Sequence, residues 1–414
     1  MATDPRARSA TFRESAAIAA PRNDEEPTTD DRREPVLTTL EGWRKPASQA
    51  EEGRLADCSL VIATYKRSVE VCALLRRVQE LPDAPAEVVV VDGSPDDATR
   101  RAVADWAHTA DLRYQLVYVR SPAGLTRQRN VGIDASSGAI VFFLDDDCHP
   151  EPGYFRAIHQ LYAEDTSGSV GAICGSPVND MGKRLSFRWR LRLALGISPA
   201  GEAGEYMRMG ASMPLGSALP FSGARPVAAM PGCTMSFRRA ALARHRFSHF
   251  FYGYSQGEDL EMSLRVGRDY RVLWCGDAHA IHDHALGGRP ASMEKGRMEV
   301  RNRYFIWKRH VSDAGVLDRI RFWSDTAYSI AYDLASFATR PTSVAPLRHM
   351  AGCLRGALGC IVAPPRHDEP AARREYDFDI QPLPAPAGEL AGVGATRTAS
   401  TVAGDAATPT HDHR

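Results

Sequence analysis

The 414-residue chain has no net charge, since 51 lysines and arginines balance 51 aspartates and glutamates. No overall field therefore draws it to nucleic acid, and charge is informative only locally. Its eight cysteines form no Cys-x-x-Cys pair, and several sit inside apolar runs. That excludes a zinc ribbon or a disulfide framework and suits reduced thiols in the cytosol. No apolar run reaches the roughly 18 residues of a membrane span, and residues 1–35 have no continuous apolar core of a secretory signal. The expectation is a cytoplasmic chain that neither enters the secretory route nor spans a bilayer. Also missing is any Gly-x-Gly-x-x-Gly or other Gly-rich phosphate loop after the first apolar strand, where "ATYKRSVE" stands. This excludes a dinucleotide-dependent oxidoreductase and counts against a sugar-nucleotide pyrophosphorylase.

What is present is an alternation of short apolar runs with helical patterns. "CSLVIATY", "EVVVVD", "YQLVYVR" and "GAIVFFLDDD" read as strands, separated by segments such as Val71, Leu74, Leu75 and Val78 at helical spacing. Such a sequence predicts an α/β fold: a mostly parallel sheet flanked by helices, with ligands bound beyond the carboxyl ends of the strands. Residues 1–55 and 367–414 are polar or Ala/Pro/Gly-rich without periodicity and are expected to be disordered tails. Between them lie a catalytic domain over residues 56–310, divided into a donor half (56–175) and an acceptor half (176–310), and an amphipathic helical extension over 311–366.

Three consecutive carboxylates end the fourth strand. Side chains two apart in an extended segment face the same way, so Asp145 and Asp147 project together while Asp146 points elsewhere. A pair of hard carboxylates suits Mg²⁺ or Mn²⁺ completed by substrate phosphates. An isolated Asp-x-Asp is more often a solvated acidic loop; its position after a buried strand shifts the balance. Asp92 ends another strand beside a Gly-Ser turn, where it either stabilises the turn or accepts hydrogen bonds from a nucleoside. Arg127, Arg129 and Asn130 follow on a helix near the same edge.

"VIATYKR", "VVVVDGSPDD", "QRNVGI", "FFLDDD", "PGCTMSFRR" and "GEDLEMSLR" follow one another in the order, and at about the spacings, of GT-A-type family 2 glycosyltransferases. Over residues 56–310 the chain resembles that family. The resemblance implies an inverting transfer from a nucleotide-diphosphate sugar to an acceptor hydroxyl on a glycan or a lipid-linked molecule. It implies that Thr64 and Asp92 contact the nucleoside, that Arg129 and Asn130 lie beside the nucleotide, and that Asp145 and Asp147 bind ribose and metal. Ala63 and Lys66 stand where the family usually has Pro and Asn, and Gly93 where Asp or Asn is common.

An inverting displacement needs a base on the far face of the sugar. Glu258 and Asp259 open a helix, where acids also complement the dipole; Asp259 matches the family's catalytic aspartate and Glu258 its neighbour. Downstream, His282 is a candidate third metal ligand, with His284 close by. In the extension, Ile320, Trp323, Ala327, Ile330, Leu334 and Phe337 share one helical face, and Leu347, Ala351, Leu354, Leu358 and Ile361 nearly repeat it. These helices either cap the core, the reading placed slightly ahead, or lie peripherally on a bilayer, as the basic "KRLSFRWRLR" also suggests. The remaining alternative to an enzyme is a membrane-associated scaffold without turnover.

Overall fold

The computed structural model describes residues 37–48, 53–285, 290–366 and 374–386. The elements run β1 (Thr38–Lys45), β2 (Leu55–Thr64), α1 (Ser68–Glu80), β3 (Pro85–Asp92), α2 (Ala98–Thr109), β4 (Gln115–Arg120), α3 (Leu125–Ala135), β5 (Ile140–Asp145), β6 (Cys148–Pro150), α4 (Tyr154–Glu164) and β7 (Val170–Pro177). They continue as α5 (Phe187–Ala194), β8 (Tyr206–Met207), β9 (Ala211–Ser212), β10 (Ala224–Pro226), β11 (Thr234–Arg238), α6 (Arg239–Leu242), α7 (Glu258–Val266), β12 (Arg271–His282), α8 (Ser292–His310), α9 (Val316–Thr339), α10 (Ala345–Val362) and β13 (Tyr376–Pro382).

One large sheet has the order β10-β12-β7-β11-β5-β2-β3-β4-β1-β13, with β6 paired to β12. Its heart is the parallel set β5-β2-β3-β4. These strands are apolar on both faces because both are covered. Leu60, Ile62, Val88 and Val90 enter one core with Val71, Leu75, Val103 and Ile158 of α1, α2 and α4. Val61, Val89, Val91 and Phe143 enter the other with Val131 of α3 and Met262 and Val266 of α7. All eight cysteines are free and buried.

Two expectations need correction. Residues 38–45 and 376–382, assigned to disordered tails, are β1 and β13, a parallel pair that extends the sheet beyond β4. Their sequences give no strand signal because each pairs with the other across more than three hundred residues of chain, Thr38 lying across from Tyr376; on its other side β1 meets β4, where Trp43 stacks on Tyr118 with ring centroids 5.4 Å apart.

The helical extension is also not a cap on the apolar core. The buried side of α9 is Phe322 followed by Asp325, Thr326, Ser329 and Asp333, whereas Ile320, Ala327 and Leu334 are exposed and Trp323, Ile330 and Phe337 only half-buried. Buried polar groups persist where they are paired. Here Arg192 of α5 meets Asp325 at 2.6 Å and Ser329 at 3.1 Å, Arg303 of α8 meets Asp325 and Thr326, and His349 of α10 meets Asp333 at 2.6 Å. α10 crosses α8 closely enough that a Cβ on Gly352 would lie 2.0 Å from the Met293 carbonyl oxygen. Backbone contact through glycine takes the place of large interlocking side chains there.

Candidate active site

Register brings the functional side chains to one edge. Parallel pairing sets Ala63 across from Asp145 and Thr64 across from Asp92, so β2, β3 and β5 end together. β11 runs antiparallel beside β5 with Thr234 across from Leu144, which delivers Gly232 and Cys233 to the same edge. The last residue of β12, His282, pairs with Cys148 of β6 and so arrives beside the acidic turn. α7 begins there as well, after Gly257 at φ +91°, a left-handed conformation that glycine adopts without a Cβ penalty. A cavity of about 910 Å³ opens between these ends.

On one side, donor atoms of Asp145, Asp147 and His282 all lie within 4.8 Å of one another. Asp147 accepts from the Ala285 N–H at 2.8 Å and lies 3.4 Å from both Arg67 and His282. Burial works against its charge, but His282, the Ala285 N–H and Arg67 outweigh burial and hold its pKa down at about 2. Burial likewise opposes a charged His282, yet Asp147 and Cys233 raise it to about 11. The ring is fixed between Asp147 and Asp180, 3.4 Å from each, an arrangement that orients an imidazole toward a cation. Two carboxylates and an imidazole form a donor set that fits Mn²⁺ or Mg²⁺; ligation would require His282 in its neutral form.

Across the cavity, Glu258 and Asp259 open α7. Burial, then the neighbouring Asp259, pushes Glu258 up to about 8 against the pull of Arg129. Burial also raises Asp259, opposed by the Leu260 and Gly232 N–H groups that donate to its two carboxylate oxygens at 2.8 and 3.0 Å. Between the two groups stands Arg129, buried, 2.8 Å from Glu258, 3.1 Å from Asp145 and 3.0 Å from the Gly232 carbonyl. One guanidinium thus serves three carboxylates, Asp145, Glu258 and the nearby Asp259. Burial, reinforced by this excess of acids, makes the α7 acids resist ionisation.

Thr64, Arg129, Asp145, Asp147, Glu258, Asp259 and His282 all line the cavity; Asp92 and Asn130 do not. Both oxygens of Asp92 are occupied, one by the Ser94 N–H at 2.8 Å and the other by the Tyr118 hydroxyl at 2.6 Å. Asn130 clamps the backbone of Phe247, donating to its carbonyl and accepting from its N–H, each at 3.0 Å. Arg127 is not in the wall either.

Two contributors escaped the sequence reading. Arg67 binds Asp146 at 2.8 Å and so anchors the middle acid, which also accepts from Thr64 at 2.8 Å; its place just after the first strand was the only signal. Asp180, which holds His282 and also meets His284 at 2.8 Å, comes from the irregular insertion, and nothing in its neighbourhood marks it.

The glycosyl transferase family 2 pattern matches residues 59–246. Among curated relatives, glycosyltransferase AglE of Haloferax volcanii is 31% identical over 133 residues, which is 32% of this chain and 40% of that protein. The Bacillus subtilis glycosyltransferase YwdF is 29% identical over 98 residues, 24% of this chain and 35% of that one. The chain therefore spans well under half the length of these relatives. Among solved structures, the mannosyltransferase PcManGT of Pyrobaculum calidifontis, in complex with GDP-Man and Mn²⁺, has a TM-score of 0.45 at 18% identity, covering 77% of this chain and 91% of that chain. GalNAc-T7 with UDP, GalNAc and Mn²⁺ has a TM-score of 0.44 at 17% identity, covering 69% and 58%.

Proposed function

Since residues 59–246 form a family 2 glycosyltransferase domain, we propose that the chain transfers a sugar, with inversion, from a nucleotide-diphosphate sugar to an acceptor hydroxyl. The observation that carries this reading is the opposition of two acid groups across one cavity of about 910 Å³, with Arg129 between them. Asp145, Asp147 and His282 would hold a Mn²⁺ or Mg²⁺ ion. When bound, the ion neutralises charge on the diphosphate leaving group. Thr64 and Arg129 stand in the wall that receives the nucleotide, while Asp92 and Asn130 support it from behind.

Asp259 takes the proton from the acceptor hydroxyl. Its carboxylate is half-buried in the wall facing the cavity, its two backbone N–H partners fix its orientation, and its raised pKa makes it a better proton acceptor. Burial raises the proton affinity of Glu258 to about 8, so it carries less of the group's charge and limits repulsion beside Asp259. Arg129 keeps the two sides at a fixed separation. The acceptor is a glycan or a lipid-linked hydroxyl, and the protein works peripherally at a membrane surface.

A thermal-shift screen of nucleoside diphosphates with and without Mn²⁺ tests the donor side, because a ligand that binds only the native state raises Tm. The expected result is a rise with one nucleotide that requires the metal. A metal-independent rise, or turnover undiminished in a chelator, would refute the metal assignment.

A further inference from the structure

We propose that α9 and α10, with the adjoining α5, form a docking face for an anionic lipid surface. In a soluble helix the apolar stripe faces inward and the polar one outward; in α9, past Phe322, the buried positions are polar. Asp325 and Asp333 are buried against Arg192, Arg303 and His349. Between Arg321 and Arg340 its exposed positions are Ala327, Ala331, Leu334, Ala335, Ala338 and Thr339, none of them charged.

α10 repeats the inversion. Gly352, Cys353, Gly356 and Cys360 face inward, whereas Leu358 is 62% and Ile361 67% exposed. Large apolar side chains gathered on one exposed surface mark an interaction site. No helix among the described residues is long and apolar enough to cross a membrane, so the geometry is that of a helix pair lying on a surface.

Charge selects the occupant. Residues 334–366 contain four arginines and no Asp or Glu, and residues 183–200 contain five basic residues and no acid. Arg340, Arg348, Arg355, Lys183, Arg184 and Arg190 are exposed. α5 is joined to α9 through Arg192 and through the Tyr328 hydroxyl, which donates to the Arg188 carbonyl at 2.9 Å, and α5 presents Phe187 outward at 61% exposure. Apolar side chains ringed by cations fit acyl chains beneath anionic headgroups. A self-complementary dimer face would carry both signs of charge.

This face also deepens the transferase reading, on which the following point rests. Met181 and Lys183 line the catalytic cavity and lead directly into α5, so a bilayer at α5 brings a lipid-linked hydroxyl to the cavity mouth.

The test is co-sedimentation of the full chain with sucrose-loaded phosphatidylcholine vesicles, with and without phosphatidylglycerol. Binding should require phosphatidylglycerol and be lost at high salt. Leu358→Ser/Ile361→Ser should lower the partition coefficient about tenfold or more, since about 0.8 kcal/mol of transfer energy accompanies each buried methylene. Arg348→Gln/Arg355→Gln should lower it about tenfold. Both variants should keep the wild-type Tm, because the replaced side chains are exposed. No sedimentation at low salt, wild-type binding by the apolar variant, or a light-scattering dimer that this variant dissolves would overturn the proposal. Nucleoside diphosphate binding is measured in parallel; its absence would count against the transferase reading while leaving the vesicle result intact.

Discussion

The two sides of the cavity are built from the same residue type and have opposite proton affinities. Asp147 is held at about 2 by His282, the Ala285 N–H and Arg67. Glu258 is pushed to about 8, and Asp259 is raised, by burial next to each other with a shared Arg129. Environment, not residue identity, divides the labour: a carboxylate held ionised suits a cation, and one whose proton affinity burial raises suits a proton.

The largest effect should come from the proton-accepting side. Asp259→Asn keeps the side chain's size and a good residue for a helix start, so Tm and nucleotide affinity should stay near wild type. Turnover at saturating acceptor should fall about 10²- to 10⁴-fold, as loss of a general base does. A near-normal rate, with collapse in Glu258→Gln instead, would move the base one residue upstream.

Next is the divider. Arg129→Met leaves Asp145 and Glu258 facing each other without their common cation. Breaking a buried pair by removing one partner costs about 3–5 kcal/mol, to be read from urea unfolding in chelator. An unchanged midpoint would mean that the two sides are independent.

The pH dependence of stability should separate the sides more finely. Glu258 has a folded pKa of about 8 against an ordinary 4.5, so the stability it contributes is complete below pH 4.5 and lost as pH rises through about 8. Asp147 has a folded pKa of about 2 against 3.8, so its contribution is present above pH 3.8 and lost as pH falls through about 2. Glu258→Gln should flatten the alkaline limb alone and Asp147→Asn the acid limb alone. If both substitutions flatten the same limb, the contrast fails.

The smallest effect on activity is expected behind the wall. Asn130→Ala removes two hydrogen bonds to Phe247 and should cost about 1–3 kcal/mol of stability with nucleotide affinity intact. A selective loss of nucleotide binding would restore Asn130 to the site itself.

Strands β2 to β5 and the helices between them were legible because apolar runs and helical periodicity are local signals. So were the acids at strand and helix ends, whose spacing alone makes Asp145 and Asp147 share a side. The roles of Arg129 and Asn130 were not, because a sequence places a residue on a helix without saying what that helix meets. Both lie on α3, where Arg129 turns to the acids and Asn130 to Phe247. β1 and β13 were invisible for the same reason at longer range. In α9 the helical spacing was legible, but the apolar face is at most half-buried and past Phe322 the buried positions are polar: pattern identifies two faces, and the arginines of α5 and α8 draw the polar one inside.

The division of labour is tested most directly by calorimetric titration of the cognate nucleoside diphosphate in Mn²⁺ and in chelator, on wild type, Asp147→Asn and Asp259→Asn. The expected result is tight, metal-dependent binding by wild type and Asp259→Asn, with Asp147→Asn reduced to the weak affinity seen in chelator. Equal loss in both variants, or metal-dependent binding preserved in Asp147→Asn, would contradict the assignment of one acid group to the cation and the other to the proton.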